Sequence, residues 1–276
     1  MSIKLMYITN NPGVARVVEA AGVDRVFVDL EYIGKSLRQG GMDTVQSRHT
    51  LQDVKSISEV LTTAELLVRV NPIHEETEEY CSSKEEIETA INNGAEIIML
   101  PYFKTVKEVE DFVIYVDGRC KTMLLFETPE SVQNIDQILD VEGIDEVFVG
   151  LNDLSLGYKK KFMFELLADG TVDYLIGKFA SKNYQYGFGG LASLDKGLLP
   201  GEKVLKEHYR LASSSVILSR SFCNASKIED IRKIETVFQE GISNIRKCEK
   251  ECEKMVDFSA NREEVRCIVE RIIREL

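Results

Sequence analysis

KTMLLFETPESV, Lys121 to Val132, runs from an unbroken apolar stretch, Met123 to Phe126, straight into a carboxylate, Glu127, and then into a helix start. The apolar stretch has the length of a strand buried on both faces, because parallel strands covered by helices read as continuously apolar rather than alternating. Thr128 is placed to cap a helix and Pro129 to take its first position, where the missing amide hydrogen costs nothing. A carboxylate at the tip of a buried strand is costly unless something cationic meets it there. The order strand, acidic tip, helix recurs in DEVFVGLNDLSLG, Asp145 to Gly157, where Val147 to Val149 leads to Asp153.

Working outward, the same kind of apolar run appears eight times: IKLMYIT, RVFVDL, ELLVRV, EIIMLPYF, TMLLFET, EVFVGL, YGFGGLA and SSVILSR. Amphipathic segments separate them. SSKEEIETAINNG has a serine cap, early glutamates and a terminal Gly94, and KTVKEVEDFVIYV sets Val106, Val109, Phe112, Val113 and Val116 on one helical stripe. Eight strands alternating with helices predict an α/β fold of the (β/α)8 TIM barrel type, whose usual size is about 250 residues. The competitor, an open doubly wound sheet, needs fewer strands and often a glycine-rich first turn, and TNNPG is not one.

The tail differs in pattern. From Lys227 to Lys254, Ile228, Ile231, Ile234, Phe238, Ile242 and Ile245 recur every three or four residues among many charges, which predicts one long amphipathic helix, followed by a second over Arg262 to Leu276. The expected organisation is a catalytic barrel over 1–223 and a C-terminal helical extension over 224–276. The extension either packs on the barrel or docks on a neighbouring subunit of a homo-oligomer.

With 276 residues and a formal charge of −12, the chain lacks the basic footprint that nucleic acid or an anionic membrane surface requires. No signal-peptide pattern follows Met1 and no apolar run reaches the ~20 residues that span a bilayer. The six cysteines are scattered; Cys248 and Cys252, one helical turn apart, read as small apolar packing residues rather than a metal or redox pair. A reduced, cytoplasmic protein is expected.

In a barrel of this type the reactive face lies at the C-terminal ends of the strands. Those ends carry Asp29, Glu31 and Tyr32 after the second strand, Arg69 on the third, Glu127 on the fifth, Asn152 and Asp153 after the sixth, GFGG on the seventh and Arg220 after the eighth. Glu127 and Asp153, on neighbouring strands, suit a hard divalent ion, Mg2+ or Mn2+, which uses one or two protein carboxylates and leaves positions for a substrate with two adjacent oxygens, such as a 2-oxo acid. Taken singly, Glu127 also reads as a helix-rim contact, Asp153 as a turn residue, and Arg69 as a structural ion-pair partner of Glu31 or Glu127.

In their order, VFVDLE, LVRV, GAEIIMLPYFKTVKEVEDFV, LLFETPESVQNIDQIL and GIDEVFVGLNDLSLG resemble the HpcH/HpaI aldolase and citrate lyase superfamily over Val23 to Leu156. The resemblance implies a class II, metal-dependent carbon–carbon lyase or aldolase. Its metal ligands fall on Glu127 and Asp153, its substrate- and enolate-binding arginine on Arg69, and its carboxylate-binding loop on Gly150, Leu151, Asn152 and Asp153. Asp29 and Glu31 occupy the acidic positions after the second strand.

Two positions depart from that pattern. Tyr32 stands where the aldolases carry a histidine that pairs with the aspartate as general base, and an ordinary tyrosine is a poor base at neutral pH. His49, in the long loop that also holds Lys35, Arg38, Gln39 and Arg48, is the expected replacement; the plainer reading is that it merely precedes a helix cap at Thr50. Leu125 stands where many relatives have a glutamine that contacts substrate. His208 reads as a helix-end residue paired with the dipole. Arg220 beside GFGG suggests an anionic second substrate, although the glycines serve barrel closure equally well. The expected function is a metal-dependent lyase or aldolase acting on a 2-oxo acid through an enolate. The alternatives are a citrate-lyase-like thioester lyase and a degenerate barrel serving as a binding or scaffold protein.

Overall fold

The computed structural model describes residues 2–34 and 48–276. Eight parallel strands close into a barrel in sequence order: β1 Lys4–Ile8, β2 Arg25–Asp29, β3 Glu65–Arg69, β4 Ile97–Leu100, β5 Lys121–Phe126, β6 Glu146–Val149, β7 Gln185–Leu191 and β8 Ser215–Leu218. The (β/α)8 expectation holds: six strands fall within the apolar runs that announced them, and β5 and β7 each begin one residue earlier, at Lys121 and Gln185. Lys35, Arg38 and Gln39 lie outside the described residues.

Alternation along each strand separates two cores. Val26, Val28, Val68, Ile98, Leu124 and Val149 face the helices, while Met6, Phe27, Leu67, Ile97, Met99, Met123, Leu125 and Phe148 form a separate buried cluster inside the barrel. The inward series therefore reads Arg25, Phe27, Asp29 on β2 and Glu65, Leu67, Arg69 on β3: charge below, apolar in the middle, charge above. At the lower end the fully buried Arg25 donates to Glu146 at 2.7 and 2.6 Å and to Glu65 at 2.8 Å. A buried guanidinium with both neighbours satisfied in this way plugs the barrel without an orphaned charge.

Glycine in YGFGGLA is a packing requirement. A Cβ on Gly187 would lie 2.3 and 2.4 Å from Ser215 and 2.7 Å from Phe148, so β7 can approach β8 only without a side chain there.

The long tail helix spans Ile231–Cys252, buries Ile234, Phe238, Ile242 and Ile245, and packs between the helices Pro12–Ala20 and Gly201–Arg210. It takes the eighth place in the outer ring. Arg246 donates to the Ile3 carbonyl at 2.8 Å, and Glu249 accepts the Ile3 amide at 2.8 Å, tying it to the start of β1. Cys248 and Cys252 are buried on its inner face. The last helix, Ser259–Glu275, packs on Glu165–Ala168 and Gly201–Arg210, with Asn261 bonded to the buried Glu207 at 2.8 Å. No helix among the described residues is long and apolar enough to cross a membrane.

Candidate active site

The upper ends of β2 and β3 bring their inward charges together. Asp29 and Arg69 are register partners, and the guanidinium grips the carboxylate with Nε on Oδ1 and Nη2 on Oδ2, both at 2.8 Å. Nη2 also lies 3.3 Å from Glu31 Oε2, and the guanidinium carbon sits 5.5 Å from the centroid of the Phe27 ring beneath it. Burial works against the charge of Arg69, but Asp29 and Glu31 outweigh it and, with Glu127, hold its pKa well above the ordinary value. Arg69 is thus a permanent cation in a fixed orientation.

Glu127 follows the inward-facing Leu125 on β5 and is 2 % exposed. The expected helix-rim role falls instead to Thr128, whose hydroxyl accepts the Ser131 amide at 3.0 Å. Glu127 is held from another strand: the amide of Tyr102, in the loop after β4, donates to Oε1 at 3.0 Å. Tyr102 takes φ of 50° to do so, a left-handed conformation that costs a non-glycine residue energy and marks a site held by its surroundings. On the other side Glu127 abuts β6. A Cβ on Gly150 would stand 2.6 Å from Oε2, so glycine is what leaves that oxygen room. Gly150 donates its amide to the Phe126 carbonyl at 3.0 Å, fixing the two strand ends side by side.

Asp153 was read in isolation as a turn residue. It lies instead in the first turn of the helix Leu151–Gly157, 8 % exposed. Leu151, Asn152 and Asp153 therefore open a helix at the mouth, directly after the glycine that touches Glu127. Leu125 is 3 % exposed, and one of its methyls lies 3.2 Å from the Gly150 Cβ position, which makes the wall beneath this corner apolar.

His49 reaches the same end of the barrel. Its Nδ1 accepts the Asp29 amide at 3.0 Å. The plainer reading holds at the neighbouring residue too, since Thr50 caps the helix Leu51–Ser58 in a reciprocal box with Asp53. An imidazole accepting at Nδ1 is neutral and carries its hydrogen on Nε2. It has no lone pair to take a proton unless the Asp29 bond breaks, so in this arrangement His49 orients the end of β2.

Asn71 was not anticipated. Its Oδ1 accepts the amides of Tyr32 and Ile33 at 2.8 and 2.9 Å, and its amide group donates to the buried Glu86 at 2.7 Å. This holds the segment carrying Glu31 against β3. The signal in sequence was a polar residue directly after the strand end VRV. His208 is buried outside the mouth, stacked on Phe188 at 3.8 Å and bonded through Nδ1 to Ser213 at 2.9 Å. Burial pushes its pKa down to about 3, so it is neutral and makes no charge–dipole pairing. Arg220 lies in an exposed turn after β8.

Among the described residues no group of three or more His, Cys, Asp or Glu side chains is gathered closely enough to hold a metal. The donor set at the mouth is a pair of carboxylates, Glu127 and Asp153, on neighbouring strand ends. That set fits magnesium or manganese, which accept one or two protein carboxylates and complete their shell with water or substrate. The cradle that glycine leaves around Glu127 Oε2 agrees with it.

A sequence profile described as HpcH/HpaI aldolase/citrate lyase matches residues 4–168, more than half of the chain. No curated protein matches it. Among solved structures, an HpcH/HpaI aldolase from Desulfitobacterium hafniense DCB-2 is similar at 16 % identity and TM-score 0.59, over 89 % of this chain and 93 % of that one. Citrate synthase SbnG is similar at 17 % identity and TM-score 0.59, over 89 % and 94 %. A family protein from Burkholderia cenocepacia J2315 gives 13 % and 0.60, over 87 % and 94 %. At these identities the structural likeness speaks for the fold.

Proposed function

The chain belongs to the HpcH/HpaI aldolase/citrate lyase family, and from that premise we propose that it is a divalent-metal-dependent carbon–carbon lyase or aldolase acting on a 2-oxo acid. The family is one of lyases and aldolases, and its members commonly use a divalent metal. The observation that carries the finer reading is the grip of Asp29 on Arg69 at a mouth where Glu31 and Glu127 also act on the guanidinium. A cation held rigidly among buried carboxylates is arranged to meet a developing negative charge at no reorganisation cost.

Glu127 and Asp153 would hold the cation, whose contribution when bound is Lewis-acid polarisation of the substrate's keto oxygen. Arg69 adds fixed positive charge where the enolate forms, and Asp29 fixes its direction. Backbone amides of Leu151 and Asn152 are assigned to the substrate carboxylate, while the Gly150 amide, bonded to the Phe126 carbonyl, sets the position of that loop. With Tyr32 in place of a histidine, and His49 already accepting the Asp29 amide at Nδ1, proton transfer falls to Glu31, which is fully buried and 3.3 Å from Arg69.

Exchange of pyruvate methyl protons in D2O, followed by proton NMR, tests this directly because it needs no second substrate. Exchange that requires Mg2+ or Mn2+ and stops with chelator is expected. Its absence in the metal-loaded wild type removes the enolate mechanism, and exchange with acetyl-CoA in place of pyruvate would favour the thioester lyase.

A further inference from the structure

A cavity of about 460 Å³ opens beside the mouth, between the segments that follow β2 and β3, and Tyr32, Arg48, His49, His74 and Tyr80 are among the residues lining it. Its volume lies in the range of small-molecule sites. Two features make it more than a crevice between loops.

The first is that its aromatic walls are fixed yet only partly covered. The Tyr32 backbone is pinned by Asn71, while the residue remains 46 % exposed. Tyr80 is set by a turn in which its amide donates to the Thr77 hydroxyl at 3.1 Å and its carbonyl accepts the Thr77 amide at 2.9 Å. His74 meets the Tyr80 ring edge-on, and its own Nε2 lies 2.9 Å from the Cys81 carbonyl. The two tyrosine rings stand 6.1 Å apart with 40° between their planes, an open wedge of aromatic surface. The second feature is continuity with the reaction centre. His49 lines the cavity and at the same time accepts the amide of Asp29, whose carboxylate holds Arg69.

We propose that this cavity receives the second substrate, and that Tyr32 and Tyr80 select a carbonyl compound with a planar, aromatic or conjugated body. Arg48, Glu79 and Glu86 line it, and Glu86 accepts hydrogen bonds from Asn71, so the aromatic walls, rather than an excess of positive charge, set the preference. The inference rests on the proposed lyase or aldolase reading for what the bound compound does, but not for whether it binds.

Ligand-observed NMR titration with benzaldehyde and with butanal, on wild type, Tyr80→Phe and Tyr80→Ala, measures the preference. Benzaldehyde is expected to bind more tightly than butanal. Tyr80→Ala should weaken benzaldehyde about fivefold, the scale of one lost aromatic contact, while Tyr80→Phe retains it. Tyr32→Ala should act in the same direction, which guards against a folding defect in one variant. Equal affinities for the two aldehydes in the wild type, or equal losses for both in Tyr80→Ala, overturn the proposal. Pyruvate proton exchange in the wild type reads the lyase mechanism separately: exchange without a benzaldehyde preference sinks the cavity alone, and a benzaldehyde preference without exchange sinks the mechanism alone.

Discussion

Asp29 and Arg69 sit opposite one another on β2 and β3 and are joined by two hydrogen bonds of 2.8 Å, which makes the arginine the best-oriented charge at the barrel mouth. A lysine in its place keeps a positive charge but loses the planar fork that both oxygens of Asp29 engage. Arg69→Lys is therefore expected to lower the rate of pyruvate proton exchange by about a hundredfold, the scale of removing one fixed transition-state donor. Arg69→Leu should in addition cost about 3–5 kcal/mol of stability, because it strands the carboxylates it held. Exchange rates and thermal melting of the two variants separate these effects.

The contact between Gly150 and Glu127 offers a test of the metal assignment that leaves every carboxylate in place. A methyl at 150 would intrude to 2.6 Å from Oε2 and 2.8 Å from the Glu127 Cβ. Gly150→Ala is expected to weaken Mn2+ binding at least tenfold, as measured by electron paramagnetic resonance, and Glu127→Gln to weaken it further. Unchanged Mn2+ affinity in both would move the metal away from this corner.

What was legible in the sequence follows from which interactions are local. Apolar runs ending in Glu127 and Asp153 announced both strands and the mouth, because strand burial and helix capping are written within a dozen residues. The lower ring of Arg25, Glu65 and Glu146 was passed over. Those residues come from β2, β3 and β6, and only closure of the barrel brings them to one axis. Period-two alternation did hold the clue: Arg25, Phe27 and Asp29 share a face, so a charge at each end of an apolar centre was readable once the interior side was known. The contact of His49 with Asp29 joins residues 20 positions apart and left no local trace. The isoleucine spacing of the tail fixed a helix, but not the groove between two other helices that it fills.

That lower ring has an acid signature. Burial raises the Glu65 pKa, but hydrogen bonds from Lys121 and Arg25 prevail and bring it down to about 2. In the unfolded chain a glutamate titrates near about 4.3, so the contribution of Glu65 to stability is fully present above that pH and is lost as pH falls toward about 2. The melting temperature of wild type should fall over this window more steeply than that of Glu65→Gln. The two should converge at the acid end, and a constant gap between them from pH 5 to pH 2 would contradict the assignment.

His208 gives the opposite residue type and a higher window. Its ring is fully buried against Phe188, its Nε2 has no hydrogen-bond partner among the described residues, and burial lowers its pKa to about 3. A histidine in the unfolded chain takes up its proton near about 6.5. As pH drops below that value the unfolded state binds a proton the native state refuses, so stability is complete above about 6.5 and declines as pH falls toward 3. The slope from this one group approaches about 1.4 kcal/mol per pH unit. Urea unfolding between pH 7 and pH 5 should show this decline in the wild type and less of it in His208→Leu. The carboxylate of Glu65, titrating lower, contributes little in that range. In the native protein, proton NMR should find the His208 ring signals unmoved from pH 7.5 to pH 5, and a midpoint near 6.5 would show that the ring is reached by solvent.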